Sequence, residues 1–478
     1  MKRMIALVVA GSVLAAALCQ AQTAPAMTLT KMDEAKQKDW LARWDKFISG
    51  VDKDYRTCDT AQDGEIAWLV TPVMEGFYNG YRATHDTRYV DMAVDWADSL
   101  IKRAVMEPDG CLGWPGQWGR TKIINAGSGV DNLNEYNTDS FISDAMVFRP
   151  IVLLAREMTT NPALKEKYGA KGESYLKLAE QLYEKWVKRG GWREIEDGGM
   201  ISVVLPFGMD EANRKWIGFD TRNDPGHGFS HPDNQANEVA RWMLAMWDVT
   251  GKPEYKDRAE RWFKVQKSRM TPRSDGTYEI WNYWQPAGPW DYKTDHTPKH
   301  WIGVHPNDEY YGLDTAAIVA AYEHGLVFTQ ADIARLIATA KSTWTGSDPS
   351  APAAGMAVWV QPGDGTAEAV NACFPNSRTS EPISTGRGSL RGTIVSVEWD
   401  AAAGKGNIVV QPKDAGAPQM TVATDKNTKV QVLRMWPDLA PYDVEIQKNF
   451  EATQRTDNWS GLAIVPYYFM LQSKLAGK

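Results

Sequence analysis

Residues 231–262 read HPDNQANEVARWMLAMWDVTGKPEYKDRAERW, and this stretch decides the fold. His231-Pro232 opens it. Proline suits the first turn of a helix, where its missing N–H would have no partner anyway. Ala236, Val239, Ala240 and Met243 then recur at helical spacing, and Thr250-Gly251 stops the run. A second run follows, with Tyr255, Ala259 and Trp262 on one stripe. The stretch is one helical hairpin.

The hairpin is repeated. Trp247, Thr250, Tyr255, Asp257, Ala259 and Trp262 match Tyr81, Thr84, Tyr89, Asp91, Ala93 and Trp96 at a single constant offset. Tyr175, Ala179 and Leu182 keep the apolar spacing in between. His305-Pro306-Asn307-Asp308 precedes Gly325 by the same interval that separates His231-Pro232-Asp233-Asn234 from Gly251. Equal counting back from Thr84 and Thr159 puts two more helix starts near Glu65 and Ser140. Helical pairs recurring through so much of the chain predict a mainly α fold, an (α/α) toroid or incomplete barrel of hairpins over residues 22–345. Residues 346–390 are rich in Gly, Pro, Ser and Ala and read as a linker. From 391 to 432 the period switches to two, as in Thr393, Val395, Val397 and Trp399, which predicts a small inserted β module. Residues 433–478 then return as C-terminal helices completing the toroid.

The 478 residues are 43% hydrophobic and 24% charged, with a formal charge of −7. That excludes a disordered or collagen-like chain and leaves room for a sizeable core. An acidic chain lacks the basic footprint of a nucleic-acid binder. Residues 1–21 read as a secretory signal: Lys2 and Arg3, an apolar run from Met4 to Leu18, then Cys19-Gln20-Ala21 with cleavage after Ala21. Leu18 speaks against a lipoprotein reading at Cys19. A periplasmic or extracellular protein with no membrane anchor is the expectation. In such a compartment Cys58 and Cys111 could pair and leave Cys373 free.

Tryptophan is the compositional outlier, with 21 Trp and 18 Tyr against 12 Phe. Rings with a polar edge fill a core, but they also stack on flat ligands while donating a hydrogen bond. Trp96, Trp247 and Trp262 sit at repeat positions and read as core, as do Trp186 and Trp242. Trp114, Trp118, Trp281, Trp284, Trp290 and Trp301 fall in Gly- and Pro-rich loops feeding the helix starts. That loop population reads as a wall for stacking sugar.

Chemistry concentrates at the same helix starts, where exposed N–H groups and helix dipoles favour anions. His231, Asn234, Gln235 and Glu238 form a polar stripe opposite the apolar one, which predicts a face looking into water or a cleft. His305, Asp308 and Glu309 hold equivalent places, with Tyr310 and Tyr311 beside them. A third start carries Asn134, Glu135, Tyr136, Asn137, Thr138 and Asp139, where Asn137 or Thr138 serves either as a cap or as a ligand contact. His296, His300 and His305 are interrupted by Pro298, so no metal is expected, nor any cofactor.

With these hairpins, helix starts and Trp-rich loops, the chain resembles the α/α-toroid carbohydrate-active enzymes, most closely the secreted alginate and uronan polysaccharide lyases. The resemblance spans roughly residues 35 to 345 and the terminal helices. It implies a polysaccharide or oligosaccharide substrate containing uronic acid, cleaved by β-elimination. It further implies Asn234, Asn237 and Glu238 at the substrate carboxyl, with His231 or His305 as base. Tyr310 or Tyr311 is then the acid, or both acid and base, and Arg222 and Lys299 counter substrate charge. The N-N-H-x-Y run of some relatives is absent here. Two alternatives stand beside this reading. One is a glycoside hydrolase on the same fold, pairing Asp139 or Glu135 with Glu238 or Asp308. The other is a protein that binds glycans without cleaving them.

Overall fold

The computed structural model describes residues 34–117, 137–205, 208–210, 212–213, 215–217, 228–293, 296, 298–299, 308–342, 357–361, 390–400, 402–412, 416–425, 429–432, 436–452 and 474. Ten α-helices fall within them: α1 (Glu34–Asp54), α2 (Thr71–Thr84), α3 (Arg88–Lys102), α4 (Phe141–Thr160), α5 (Pro162–Lys188), α6 (Asp233–Thr250), α7 (Pro253–Ser268), α8 (Asp308–Glu323), α9 (Gln330–Ser342) and α10 (Val444–Ala452). A π-helical turn, Ile66–Val70, leads directly into α2. Helix starts read from the sequence near Glu65 and Ser140 fall where the π turn and α4 begin.

The helices form two layers. α2, α4, α6 and α8 pack side by side in chain order, and each is backed by the helix that follows it, α3, α5, α7 or α9. This is the α/α toroid arrangement, built from successive hairpins. The burial pattern follows from it. An outer helix buries one stripe, as α3 does with Tyr89, Ala93, Trp96 and Leu100, and α7 with Tyr255, Ala259 and Trp262. An inner helix is covered on both sides, so every residue of α4 from Phe141 to Val152 is buried.

Tyr and Trp at the repeat positions latch neighbouring helices through their polar edges. The Tyr89 hydroxyl donates to Asp45 of α1 at 3.0 Å, and the Trp96 indole N–H donates to Asp52 at 2.9 Å. Tyr168 and Tyr175 of α5 donate to Asp91 and Asp98 of α3, both at 2.7 Å. Phenylalanine could fill these places but could not make the bonds. Hairpin turns end in the left-handed region at Gly251, φ 70°, where the N–H returns to Trp247 O at 2.7 Å.

Short strands decorate the helix ends: β1 (Val105–Met106) with β2 (Leu112–Gly113), β3 (Trp192–Glu194) with β4 (Met200–Val204) and β7 (Phe229–Ser230), and β5 (Gly208–Asp210) with β6 (Lys215–Ile217). The β module is an antiparallel sheet of five strands in the order β11 (Met420–Asp425), β10 (Lys405–Pro412), β9 (Leu390–Asp400), β8 (Ala357–Gln361), β12 (Lys429–Val432). Its strand β8 comes from the stretch read as linker, where Ala357, Val358, Trp359 and Val360 make a strand signal too short to stand out. Leu390, Ile394, Ile408, Val410 and Val422 form its separate small core. After the sheet the chain packs a 3-10 segment, Pro437–Tyr442, against α8 and α9.

Cys58 and Cys111 are both free thiols, so the pairing considered from the sequence is absent. Cys58 is buried and its Sγ lies 3.5 Å from Asp59 Oδ1. Cys373 lies outside the described residues. Among the described residues no helix is long and apolar enough to cross a membrane.

The packing of α4 against α5 depends on Gly172. A Cβ there would stand 3.0 Å from the Ala155 carbonyl oxygen and 3.0 Å from Thr159 Cγ2. Backbone cannot give way cheaply, so Gly172→Leu is expected to cost about 1–3 kcal/mol through overpacking. A urea midpoint unchanged from the parent would show that the two helices do not approach this closely.

Candidate functional site

The starts of the four inner helices gather at one end of the toroid, and the residues of α6 show what faces the ring. Glu238 Oε2 accepts from Arg149 Nη2 of α4 at 3.2 Å, and its Oε1 accepts from Arg241 at 2.6 Å. The same Arg149 nitrogen donates to Glu75 of α2. Three inner helices therefore meet through one ionic layer, and the face of α6 that carries Glu238 looks into the ring. Burial opposes ionisation of Glu238, but Arg241 and Arg149 outweigh it and hold the carboxyl below its usual value.

One turn towards the rim the same face carries Asn234, and His231 lies just outside the helix, before the extended N-cap residue Pro232. His231 Nδ1 lies 2.9 Å from Ser202 Oγ, its backbone N–H donates to Ser202 O at 3.0 Å, and its ring meets Phe141 at 5.8 Å. Asn234 is fully buried, and neither Nδ2 nor Oδ1 has a hydrogen-bond partner among the described residues. A buried amide left unmatched costs about 1–3 kcal/mol, so this position stores a demand for a polar partner. Gln235 is buried beside it.

The polar stripe, expected to look into water or a cleft, is buried from His231 to Glu238. The reason is that α6 is an inner helix, packed between α4 and α8 and backed by α7. Asn237 turns the other way, into the packing between helices: Nδ2 donates to Asp314 Oδ1 at 2.7 Å and to Gln266 at 3.1 Å, and Oδ1 accepts from Trp262 at 2.7 Å. Its amide is fully committed, which removes it from the substrate carboxyl. Tyr311 is likewise core, its hydroxyl donating to Trp281 O at 3.1 Å. Tyr310 is half-buried at the start of α8 and stacks on Tyr283, centroids 5.0 Å apart. Lys299 Nζ donates to Gly228 O at 3.1 Å, beside β7.

The loop tryptophans are the clearest correction. Trp114, Trp281, Trp284 and Trp290 are all buried, and each indole N–H is bonded inward: to Leu100 O at 2.8 Å, Asp314 at 2.9 Å, Ser230 O at 2.8 Å and Ser230 Oγ at 3.0 Å. They anchor the loops rather than line a cleft. Asp291 completes the anchor by accepting from Ser230 N at 2.6 Å and Ser230 Oγ at 2.8 Å. Of the tryptophans read as core, Trp96, Trp186, Trp242 and Trp262 are buried and Trp247 is half-buried.

At the start of α4, Thr138 is not the cap: its hydroxyl donates to Asp63 Oδ2 at 2.5 Å, and Ser140 holds the capping place. Asn137 is half-buried. Asp139 accepts from Lys185 at 2.9 Å and Arg189 at 2.5 Å. Despite burial, these two cations hold it well below the usual carboxylate range. Asp144 binds Lys185 at 2.6 Å and the Trp186 indole at 2.7 Å, and burial still pushes it up to about 6. Trp118, Asn134, Glu135, Tyr136, Arg222, Trp301 and His305, with the side chains of Asp308 and Glu309, lie outside the described residues.

Sequence reasoning passed over three interior residues: Trp68, Arg149 and Asp314. Arg149 lies within an apolar helix whose inward face no cap marks. Asp314 sits one turn after Tyr310, and burial pushes its carboxyl up to about 8, with the charge of Asp233 adding to the shift. An acid raised in the folded state binds its proton more tightly there than in the unfolded chain. The stability contributed by Asp314 therefore falls as pH rises from about 4 to about 8, by at most about 1.4 kcal/mol per pH unit. Asp314→Asn is expected to flatten that part of the urea-midpoint profile. An unaltered slope would show that Asp314 is ionised throughout.

Comparison with known proteins adds little to this geometry. No family model matches the chain, and no curated protein does. Among solved structures it is similar to the cellobiose 2-epimerase from Bacillus thermoamylovorans B4167, at 14% identity over 59% of this chain and 63% of that one, with a TM-score of 0.34. The match spans less than two thirds of that structure's length, and a likeness this slight does not bear on activity.

Proposed function

We propose that the chain is a secreted enzyme acting on glycans, and within that class a polysaccharide lyase that cleaves a uronic-acid-containing polysaccharide by β-elimination. The observation that carries this reading is the unmatched amide of Asn234, buried one turn from Glu238 on the ring-facing side of α6, with His231 just before the start of that helix. A substrate carboxylate seated at that rim receives the Asn234 amide N–H and the positive ends of the inner-helix dipoles. Both draw charge onto the carboxyl and make the C5 proton easier to remove. With Ser202 on His231 Nδ1, Nε2 is assigned to take that proton. The C5–H electron pair becomes the C4=C5 double bond, the C4–O bond breaks, and the Tyr310 hydroxyl gives its proton to the leaving oxygen. Exchange with water restores both side chains.

The described carboxylates favour this route over hydrolysis. A glycoside hydrolase needs two carboxyl groups free to face the bond. Asp139 and Glu238 are each bound by two cations instead.

A panel of polyuronates, followed by ultraviolet absorbance of the unsaturated product, tests the reading. Rising absorbance is expected. New reducing ends without absorbance would mean hydrolysis, and binding with neither product would mean a glycan-binding protein. Tyr310→Phe should lower kcat by about a hundredfold or more at unchanged thermal stability. Tyr311→Phe should instead cost about 1 kcal/mol of stability and keep most activity, because its hydroxyl is turned inward to Trp281 O. Full activity in Tyr310→Phe would remove that tyrosine from the mechanism.

A further inference from the structure

His231 lies in the short gap between β7, which ends at Ser230, and the first residue of α6, so no helical ladder of hydrogen bonds holds it. On one side it is held by Ser202 of β4, through its backbone N–H and Nδ1. On the other side the hold passes through Ser230, which is fully buried and has every polar group in use. The Ser230 N–H donates to Asp291 Oδ1 at 2.6 Å, and its hydroxyl donates to Asp291 Oδ2 at 2.8 Å. The same hydroxyl accepts from the Trp290 indole at 3.0 Å, and the Ser230 carbonyl accepts from the Trp284 indole at 2.8 Å.

Asp291 is the hub of this arrangement. It is buried, and besides the two bonds from Ser230 its Oδ2 accepts from the N–H groups of Ala287 at 2.7 Å and Gly288 at 3.2 Å. All four donors are neutral, and among the described residues no Lys or Arg pairs with it. Asp139 and Glu238, by contrast, are each bound by two cations. One carboxylate thus folds its own loop and fixes Ser230 with the same oxygens. A Cβ on Gly288 would strike the Trp290 ring, so glycine is what lets that indole reach Ser230. The loop also holds the chain beyond His231, where the Asp233 N–H donates to Tyr283 O at 3.0 Å. A single bond at Nδ1 leaves an imidazole free to swing about it, and fixing the backbone on both sides removes that freedom. The distinction matters for catalysis, because a misplacement of about 1 Å can cost about a hundredfold in rate.

We infer that Asp291 is a positioning residue that acts through Ser230 to hold His231 where it takes the C5 proton of the substrate. This rests on the lyase reading above, in which His231 is the base. Asp291 touches neither substrate nor reacting atoms; it fixes the backbone that carries the imidazole.

The test uses the full chain and the polyuronate that it turns over best, with kcat and KM measured separately at a temperature where circular dichroism shows each variant folded. Asp291→Asn keeps the shape and one acceptor for the Ser230 N–H, and is expected to lower kcat about tenfold with KM within about twofold. Ser230→Ala removes the hydroxyl and leaves the backbone bond, and should lower kcat in the same way. Should Asp291→Asn fail to fold, Ser230→Ala decides alone. In a His231→Ala background, adding Asp291→Asn should leave the residual kcat unchanged, since the group that it positions is gone. A merely structural role would lower kcat by the same factor in both backgrounds. That outcome, or an unchanged kcat in the folded variants of an active parent, would overturn the positioning role and leave the lyase reading intact. A parent that forms no unsaturated product, or one that keeps full activity in His231→Ala, would overturn the assignment of His231 as base and the positioning role with it.

Discussion

An inner helix of this toroid has no solvent side, and that constraint shapes everything else. Each polar group on α4, α6 or α8 has to find its partner inside the protein or cost about as much as a lost hydrogen bond. Aromatic rings with one polar edge meet the requirement economically. The indoles of Trp186, Trp262 and Trp281 fill apolar space and donate to Asp144, Asn237 and Asp314 within the inner layer. On the outside, Tyr89, Trp96, Tyr168 and Tyr175 do the same between neighbouring helices. The preference for Trp and Tyr over Phe is therefore largely a consequence of building two buried layers from helices that carry aspartate.

The hairpins were legible because outer helices are amphipathic. One stripe meets the inner layer and the other meets water, so Tyr255, Ala259 and Trp262 announce their helix directly. Inner helices gave only their ends, through His231-Pro232 and Gly251. Which of their faces looks into the ring is hidden, since a polar residue at the same spacing serves equally well in an interhelical network or on a cleft wall. Asn234 and Asn237 illustrate this, three residues apart with the same side chain. One is consumed by Asp314, Gln266 and Trp262, and the other has no partner among the described residues.

The loop tryptophans misled for a related reason. Gly and Pro around Trp281, Trp284 and Trp290 correctly mark irregular backbone, and irregular backbone usually runs over the surface. Here the loop folds back under Asp291, which gathers Ser230, Ala287 and Gly288 N–H groups on one carboxylate and turns the indoles inward. Trp68 went unnoticed because the π turn breaks the helical phase on which the repeat was aligned.

The distribution of charge narrows what the rim can do. Glu238 and Asp139 are two of the carboxylates a hydrolase reading would pair, yet each is bound by two cations, and two of those cations are shared in turn: Arg149 with Glu75 as well as Glu238, and Arg189 with Glu107 and Asp109 as well as Asp139. Ion pairs this deep contribute little net stability after desolvation; their effect is to fix the helices in register and to withdraw strong acids and bases from the described part of the cavity. Described polar groups at the rim include the amide of Asn234, the imidazole of His231, the phenol of Tyr310, and helix ends carrying about half a positive charge each. Such a set offers oriented N–H groups to an anion and contains no carboxylate of its own among these described groups. The same burial that forces the tryptophans to find acceptors has thus paired both Glu238 and Asp139 with cations.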